Sequence, residues 1–178
     1  MSSPPKVIAI TGAAGYIGQQ LLARLHSEPS VERIVALDRC DLGEVPSKVV
    51  FFQQSVTDPL EELFTQQGVQ SVVHLAFVLR QGRDRETVHH INVGGTENVL
   101  RACRAAGVSR LLYLSSTTVY GPHPDNPIPL TEESYLRPPY AFQYAWDKAQ
   151  VEKLLNVYAQ DLPDTTVTIL RGCVVMGP

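Results

Sequence analysis

The stretch of sequence that decides the fold is Thr11-Gly12-Ala13-Ala14-Gly15-Tyr16-Ile17-Gly18. It follows an apolar run, VIAI at residues 7–10, whose length and β-branched content are typical of a buried strand. It leads into residues 19–25, whose leucines and alanine favour a helix. A glycine-rich turn between a strand and a helix brings backbone N–H groups up to a phosphate. The spacing G-x-x-G-x-x-G is one residue longer than the usual dinucleotide fingerprint, and it predicts such a turn here.

Each glycine of this turn has a predicted role. Gly12 permits the tight turn, Gly15 lets the backbone approach a pyrophosphate, and Gly18 lets helix and strand pack closely. Asp38 lies twenty residues after Gly18, at the end of a second apolar run at residues 34–37. A carboxylate at that position is expected to accept hydrogen bonds from an adenosine ribose. The alternative, a solvated loop residue after a strand, stays open.

The composition is that of an ordinary globular chain. Its 178 residues suit one domain, and 44% of them are hydrophobic against 19% charged. A net charge of −3 without a basic stripe argues against a nucleic-acid partner. Three scattered cysteines without a C-x-x-C favour a reducing compartment. Residues 1–5 precede only about five apolar residues, too few for a signal peptide or a membrane span, so we expect a cytoplasmic protein without a membrane partner.

Strand-type runs alternate with helix-type runs, which is the pattern of a parallel sheet covered by helices. The predicted strands are residues 6–11, 33–37, 49–53, 71–74, 110–115 and 167–171. The predicted helices are residues 16–27, 59–67, 86–106 and 140–160. We therefore expect an α/β fold with a doubly wound, Rossmann-like parallel sheet, and one dinucleotide-binding domain over residues 1–178.

Local signals mark the ends of two helices and one long loop. Asp58-Pro59 predicts a helix start, with Asp58 as the N-cap and the proline at the first helical position. Gly68 and Gly107 are predicted to end helices. Residues 122–139 contain six prolines and predict a loop, which is either functional or an inert surface excursion.

The sequence Tyr144-Ala-Trp-Asp-Lys148 carries the strongest chemical signal after the glycine turn. Residues four apart share one helix face, and the apolar stripe of Val151, Leu155 and Tyr158 turns that face toward the protein body. A tyrosine ordinarily titrates near pH 10, and a nearby ammonium favours its phenolate. The pair predicts a general acid/base for an alcohol proton. The alternative is an amphipathic tyrosine beside a lysine with a buried stem.

Hydroxyl side chains follow the strand predicted at residues 110–115. Open α/β sheets bind ligands at the carboxyl ends of their strands, so Ser116 is expected to hydrogen-bond a substrate oxygen. Some of these hydroxyls are expected to bind strand-end backbone groups instead. The histidines predict no metal site, because His89 and His90 point in different directions without a carboxylate or cysteine at ligand spacing.

Six motifs, in this order along essentially the whole chain, resemble those of the extended short-chain dehydrogenases/reductases. They are T-G-x-x-G-x-x-G, Asp38, His74-Leu-Ala-Phe77, Asn92-Val-Gly-Gly-Thr-Glu-Asn98, S-S-x-x-V-Y-G and Y-x-x-x-K. The resemblance is strongest to the NAD-dependent epimerase/dehydratase family, which acts largely on nucleotide-sugars. It implies NAD as the cofactor, with NADP less expected, and a small-molecule substrate such as a nucleotide-sugar or a similar secondary alcohol.

The resemblance also implies functional residues. Ser116, Tyr144 and Lys148 would form the catalytic set, and Tyr144 and Lys148 would also contact the cofactor. The pyrophosphate would lie on Gly12, Gly15, Tyr16, Ile17 and Gly18. The ribose would lie on Asp38, beside which Arg39 is able to attract a 2′-phosphate, and the inner cofactor would lie on Leu75, Ala76, Phe77 and Asn92. Asn92 shares a buried-looking stripe with Val88, Val99 and Cys103, so a hydrogen-bonded core asparagine stays open as an alternative.

Three departures from the family pattern affect these expectations. Gln54-Ser55 replaces the usual Gly-Asp, so Ser55 or the Val56 backbone would have to contact the adenine. Gly172 replaces the proline usual after Leu-Arg. The chain also stops where relatives continue into a substrate domain. We therefore expect a cofactor-binding part with little turnover of its own, for which residues 81–85 and 122–139 form part of a rim.

Two interpretations of function follow. The first is an NAD-dependent oxidoreductase or epimerase that uses the Ser-Tyr-Lys set. The second is a non-catalytic dinucleotide-binding sensor or interaction module. The intact Ser116, Tyr144 and Lys148 favour the first interpretation, and the early end of the chain favours the second. The resemblance further implies a homodimer that pairs the helices at 86–106 and 140–160, with Ala102, Ala105 and Ala149 allowing close approach.

Overall fold

A six-stranded, wholly parallel sheet forms the centre of the chain, in the order β3-β2-β1-β4-β5-β6. A computed structural model describes residues 6–79, 84–175 and 177. The strands are β1 (Val7–Thr11), β2 (Arg33–Asp38), β3 (Val49–Gln53), β4 (Ser71–His74), β5 (Arg110–Ser116) and β6 (Thr166–Gly172). The chain runs outward from β1 to β3 and then returns to β4 beside β1. This reversal opens a crevice at the carboxyl ends of β1 and β4, where sheets of this kind bind ligands.

Helices cover both faces of the sheet. They are α1 (Tyr16–His26), α2 (Glu61–Gln67), α3 (Arg85–His89), α4 (Gly95–Ala106) and α5 (Gln143–Asp161). A single turn of π-helix at His90–Gly94, called the π-turn below, joins α3 to α4, and a 3₁₀ turn at Thr117–Tyr120 follows β5. The single helix predicted at residues 86–106 is therefore interrupted by a π-turn, a feature that hydrophobic periodicity does not signal.

The core has one apolar cluster on each face of the sheet. Buried residues under α2, α4 and α5 include Phe64, Val99 and Leu155. On the other face, Ile10 and Ile34 pack against Leu22 of α1. Because apolar side chains leave both faces of β1 and β2, these strands read as continuous apolar runs in the sequence. The doubly wound, Rossmann-like fold predicted from the sequence is confirmed.

Helix α2 begins at Glu61, so the predicted start at Asp58-Pro59 is wrong. The Asp58 carboxylate accepts a hydrogen bond from the Ser55 backbone N–H at 2.7 Å and closes a turn instead of capping the helix. Asn98 of α4 donates to the backbone carbonyl of Val56 at 2.8 Å and holds the same turn. A tertiary contact therefore decides between two local roles that Asp58 is able to fill.

Two predicted helix ends and the proline loop are confirmed. Gly68 and Gly107 follow α2 and α4 with φ of 62° and 66°, the left-handed conformation that favours glycine. Residues 122–139 contain neither helix nor strand. This segment, called the proline loop below, is fastened by Arg137, whose backbone N–H donates to the Val119 carbonyl at 3.1 Å.

The surface expected for helix pairing differs from the prediction. Ala102 and Ala149 are 0% and 1% exposed and already pack inside the fold, so they do not lie on an outer face. Ala105 is exposed. Among the described residues, no helix is long and apolar enough to span a membrane.

Candidate cofactor-binding and active site

The glycine turn lies against the segment that follows β4. Gly12 has φ of 72°, and a Cβ atom there would lie 2.6 Å from the Ala76 backbone nitrogen. A Cβ atom at Gly18 would lie 2.6 Å from the Ala13 carbonyl oxygen, so α1 packs directly on the turn. Gly15 is less crowded, since its Cβ would meet only the Gly12 carbonyl, at 3.2 Å. Gly12 and Gly18 therefore have the steric reasons that the sequence predicts for the first and third glycines.

Two adjoining cavities open above this turn. The first has a volume of about 500 Å³ and lies between the turn and the ends of β2 and β4. Predicted site residues that line it are Gly12, Gly15, Asp38, Arg39, Ser55, Val56, Leu75, Ala76 and Phe77. The second has about 530 Å³ and adds Tyr16, Ile17 and Gly18. The structure thus brings together twelve of the predicted cofactor-binding residues; residues 81–83 of the predicted rim lie outside the described residues.

Asp38 is fixed at the edge of the first cavity. One carboxylate oxygen accepts the Ala14 backbone N–H at 2.9 Å and the other accepts the Cys40 N–H at 3.0 Å. Each oxygen keeps a second lone pair for a further donor. Arg39 is exposed beside it, and its backbone carbonyl accepts Gln53 Nε2 at 3.0 Å. Asp38 is therefore held by the glycine turn itself, which the alternative of a solvated loop residue does not explain.

The predicted adenine contacts are partly engaged within the protein. The Ser55 hydroxyl lies 2.8 Å from Thr57 Oγ1, and the Ser55 N–H donates to Asp58. Val56 is buried, and its carbonyl accepts from Asn98. Both residues line the cavity, and hydrogen bonds to Asp58 and Asn98 hold the turn that contains them.

A buried polar chain that sequence reasoning missed crosses from β1 to α4. His74 lies 2.6 Å from Thr11 Oγ1 through Nδ1 and 2.9 Å from Thr96 Oγ1 through Nε2. Thr96 donates its proton to the Asn92 carbonyl at 2.6 Å, so His74 Nε2 must carry the hydrogen and Nδ1 must accept from Thr11. Thr11 Oγ1 then accepts the Ala76 N–H at 3.3 Å. Each donor in the chain therefore meets an acceptor while His74 is neutral.

This neutrality predicts a pH effect on stability. Burial, with a smaller contribution from the Lys148 charge, lowers the pKa of His74 to about 3. In the unfolded chain histidine titrates near pH 6.5, so between these values only the unfolded state binds the proton. The free energy of unfolding should therefore fall as the pH drops below about 6.5, by roughly 2–3 kcal/mol at pH 4.5.

Urea unfolding at pH 7.0 and 4.5 measures this fall in the free energy of unfolding. In a His74→Gln variant, which lacks the titrating imidazole, the fall should be smaller by roughly 2–3 kcal/mol. The exposed His90→Gln is the control and should keep the wild-type difference. A wild-type difference retained by His74→Gln would contradict the assignment.

Asn92 lies in the π-turn and is 1% exposed. The Asn92 amide oxygen accepts the Val78 backbone N–H at 2.8 Å, and the Asn92 amide nitrogen donates to the Val78 carbonyl at 3.0 Å. The other amide hydrogen reaches Asp147 at 3.3 Å. This favours the alternative of a hydrogen-bonded core asparagine that shapes the segment lining the first cavity. A direct contact between Asn92 and a cofactor stays a prediction.

Tyr144 and Lys148 lie on α5, and both contact Phe77, which lines the two cavities. The Tyr144 ring meets the Phe77 ring edge-on at 5.4 Å between centroids. Lys148 Nζ lies 3.8 Å from the Phe77 ring centroid and donates to the Leu114 carbonyl at 2.6 Å. Burial lowers the pKa of Lys148 to about 7, and the charge of Glu152 opposes that shift. Lys148 is 4% exposed and Tyr144 is half-buried, so Lys148 points into the protein body as predicted and Tyr144 does so in part.

Ser116 ends β5 and caps the 3₁₀ turn. Its Oγ accepts from the Thr118 backbone N–H at 3.3 Å and from the Thr118 hydroxyl at 3.0 Å. With both lone pairs used, the Ser116 hydroxyl hydrogen is left to donate. The neighbouring Ser115 instead donates its hydroxyl to the buried Glu152. The expectation that some of these hydroxyls bind strand-end backbone groups is confirmed by Ser116, while a contact between Ser116 and a substrate stays a prediction.

Two buried acidic residues of α5 were not predicted from the sequence to belong to the site. Asp147 is 0% exposed and lies 2.7 Å from His89 Nδ1. Glu152, also 0% exposed, pairs with Arg171 at 2.8 Å. A sequence signal did exist, because Glu152 follows Lys148 by four residues on the buried stripe. Within the described ranges, no group of three or more histidine, cysteine or acidic side chains is arranged to hold a metal ion.

The parallel sheet, the crevice at its switch point and the glycine turn define a Rossmann-like domain of the nucleotide-binding type. Residues 8–178 match the NAD dependent epimerase/dehydratase family, and the chain belongs to that family. The expectation drawn from the six motifs is thus confirmed.

Individual proteins are similar to this chain in sequence or in fold. An uncharacterized protein of Mycobacterium tuberculosis is 31% identical over 98% of this chain and 48% of its own length. The enzyme WbmG of Bordetella bronchiseptica, solved with NAD, is 30% identical with a TM-score of 0.81, over 97% of this chain and 54% of that one. A UDP-glucose 4-epimerase of Thermotoga maritima is similar in fold, with a TM-score of 0.85 at 24% identity over 97% of this chain and 57% of that one. The chain spans about half the length of these relatives.

Proposed function

We propose that this chain binds NAD in the crevice above the glycine turn and carries the acid/base residues of an epimerase or oxidoreductase that acts on a nucleotide-sugar or a similar secondary alcohol. The observation that carries the proposal is the position of the buried Lys148. Its ammonium stacks on Phe77, which lines both cavities, while Tyr144 lies against the same ring. Family membership and the NAD-bound WbmG support the choice of cofactor.

The residues present fit a dinucleotide. A Cβ atom is excluded at Gly12, while Gly15 is exposed and borders both cavities, so backbone can approach a pyrophosphate there. Tyr16, Ile17 and Gly18 continue this cradle at the start of α1. Asp38 would accept from the adenosine ribose, with Ser55 and Val56 near the adenine. Leu75, Ala76 and Phe77 would border the inner half.

When bound, NAD would supply the acceptor and donor of a hydride. The chain's own residues would handle the proton. Tyr144 would take the proton from the substrate hydroxyl and return it, and Ser116 would orient the same oxygen through its free hydroxyl hydrogen. Lys148 Nζ, 5.9 Å from the Tyr144 ring centroid, would stabilise negative charge on the phenolic oxygen. Phe77 and Phe142 would keep water from one side of the tyrosine.

The cofactor proposal predicts tighter binding of NAD than of NADP. The Asp38 carboxylate would repel a 2′-phosphate, whereas Arg39 beside it would attract one; the carboxylate is held at the cavity edge and should prevail. Dissociation constants from isothermal titration calorimetry test this. Asp38→Ala should weaken NAD binding and narrow the difference.

The exposed Asp41 provides a control for that experiment. Asp41→Ala removes a nearby exposed carboxylate that accepts the Gly43 N–H at 3.1 Å, and it should leave both dissociation constants unchanged. Tighter binding of NADP by the wild-type chain would refute the assignment of Asp38.

Self-association and a cytoplasmic location remain proposals that rest on the family. Since Ala102 and Ala149 are buried, any pairing of α4 and α5 with a second copy would have to use other residues of these helices. Light scattering at high concentration tests dimer formation, and a monomer throughout would contradict it.

A further inference from the structure

A fully buried charge lies one helical turn beyond Lys148. Glu152, on α5, has 0% exposed surface. Arg171, at the end of β6, donates from Nε to both carboxylate oxygens, at 3.2 and 3.1 Å, and from Nη2 to one of them at 2.8 Å. Ser115, which precedes Ser116, donates its hydroxyl to the same carboxylate. The carboxylate is therefore fully hydrogen-bonded, as a charge in an apolar interior requires.

The same ion pair reaches the proline loop. Arg171 Nη1 donates to the Tyr120 hydroxyl and to the Glu132 carbonyl, each at 2.8 Å. The ends of β5 and β6, helix α5 and the proline loop thus meet at Glu152 and Arg171. A buried ion pair adds little to stability on balance, because desolvation offsets the attraction. Its place beside the candidate catalytic set (Ser116, Tyr144 and Lys148) points to a different role.

Lys148 has no carboxylate of its own in the described part of the chain: the ion pairs found there do not include its ammonium. Its pKa is lowered to about 7 by burial, and Glu152 is the charged group that raises it again. Residues four apart on a helix have Cβ atoms roughly 6 Å from each other, close enough for such an effect.

Other titratable and charged groups also face Lys148 from the elements packed around it. They are Tyr144 and Asp147 on α5, Tyr113 on β5, His74 on β4, Arg171 on β6 and His89 on α3. Asp147 is paired with His89 and Asn92, and burial raises the pKa of Tyr113 well above its ordinary value. Glu152 is thus the acid that acts on Lys148 through space, while its oxygens bind Arg171 and Ser115.

We propose that Glu152 is the positioning and charge-balancing residue of the candidate catalytic set: through Ser115 it holds the strand end that carries Ser116, and its buried carboxylate, one helical turn from Lys148, balances the charge of that side chain. Arg171 pairs with the Glu152 carboxylate and fastens the proline loop to the same point. The catalytic meaning of Lys148 rests on the proposed function, but the interaction between the two charges does not.

The titration of Lys148 tests this proposal without cofactor or substrate. The chain has four lysines, so NMR of protein labelled with [ε-¹³C]lysine resolves them, and Lys148→Met assigns the signal. Glu152→Gln keeps the shape of the side chain and removes its charge. We expect the Lys148 midpoint to fall by about one pH unit, a tenfold loss of proton affinity. Glu152→Asp, which draws the charge back by one methylene, should give an intermediate midpoint.

Asp147→Asn is the matched control, since it removes another fully buried acid of the same helix and should leave the Lys148 midpoint in place. Amide spectra verify that each variant is folded. An unchanged midpoint in Glu152→Gln, or an equal fall in Asp147→Asn, would overturn the proposal. Should Glu152→Gln not fold, Glu152→Asp decides, and an unchanged midpoint there has the same consequence. Failure of NAD to bind would leave these results intact and would count only against the proposed function.

Discussion

Replacing Tyr144 by phenylalanine is expected to lower turnover by roughly a hundredfold or more. The change keeps the ring that packs edge-on against Phe77 and removes only the oxygen proposed to carry the proton. Cofactor affinity should fall much less than turnover, because Lys148 and the glycine turn are untouched and only one of the expected cofactor contacts is lost. Turnover is measured with a panel of nucleotide-sugars and other secondary alcohols. The assay uses the 178-residue chain and, if the natural protein is longer, the full-length protein as well.

Tyr135→Phe is the control for this variant, since Tyr135 is 85% exposed on the proline loop and should lose its hydroxyl without effect. Retained turnover in a folded Tyr144→Phe variant would refute the role of Tyr144. Dinucleotide binding without turnover of any substrate by the full-length wild-type protein would favour the second interpretation, a non-catalytic sensor or interaction module.

Replacing Gly12 by alanine is expected to destabilise the chain by about 3 kcal/mol or more and to abolish dinucleotide binding. Two effects add at this position. The backbone has φ of 72°, which a side chain opposes, and the new Cβ would lie 2.6 Å from the Ala76 nitrogen and 2.8 Å from the Leu75 carbonyl carbon. Both neighbours are backbone atoms of the segment after β4, so relief would require that segment to move away from the cavity it lines.

Gly43→Ala separates the two effects, because Gly43 has φ of 66° with nothing within 4 Å of its Cβ position. It should cost only about 1 kcal/mol, the conformational part alone, and should leave binding intact. Urea unfolding and calorimetry on both variants give the comparison. Equal destabilisation by the two substitutions would contradict the close approach between the glycine turn and the segment after β4.

The sheet was predictable because short apolar runs mark its strands, and β1 and β2 have buried apolar residues on both faces. The bounds of β3 and β4 agree with the prediction residue for residue. The ends of α2 and α4 were equally local, since Gly68 and Gly107 adopt a conformation that few other residues accept. The start of α2 was not predictable, because Asp58 is drawn into a turn that Asn98 stabilises from another helix.

The candidate site likewise contains some residues that local sequence patterns reveal and others that only tertiary packing brings together. The glycine turn, Asp38 and the Tyr144–Lys148 pair have fixed spacings that a sequence reveals. The chain of hydrogen bonds through His74 and the pair of Glu152 with Arg171 join residues that are far apart in sequence, and only the packed sheet brings them together. The misassigned Ala102 and Ala149 have the same origin, because a small residue on a helix does not reveal which neighbour it packs against.

The binding of NAD, followed by two-dimensional ¹⁵N–¹H NMR of the chain, tests the central proposal most directly. We expect saturable shifts of backbone amides that border the crevice, namely Gly12, Ala14, Gly15, Asp38, Val56 and Ala76. A third cavity, of about 530 Å³, lies at the opposite edge of the sheet, where β1, β2 and β3 begin, and provides an internal control. The backbone amides of Arg33, Lys48 and Gly68, which line it, should not shift. Absence of saturable shifts at millimolar NAD, or shifts confined to that opposite edge, would contradict a cofactor site at the glycine turn.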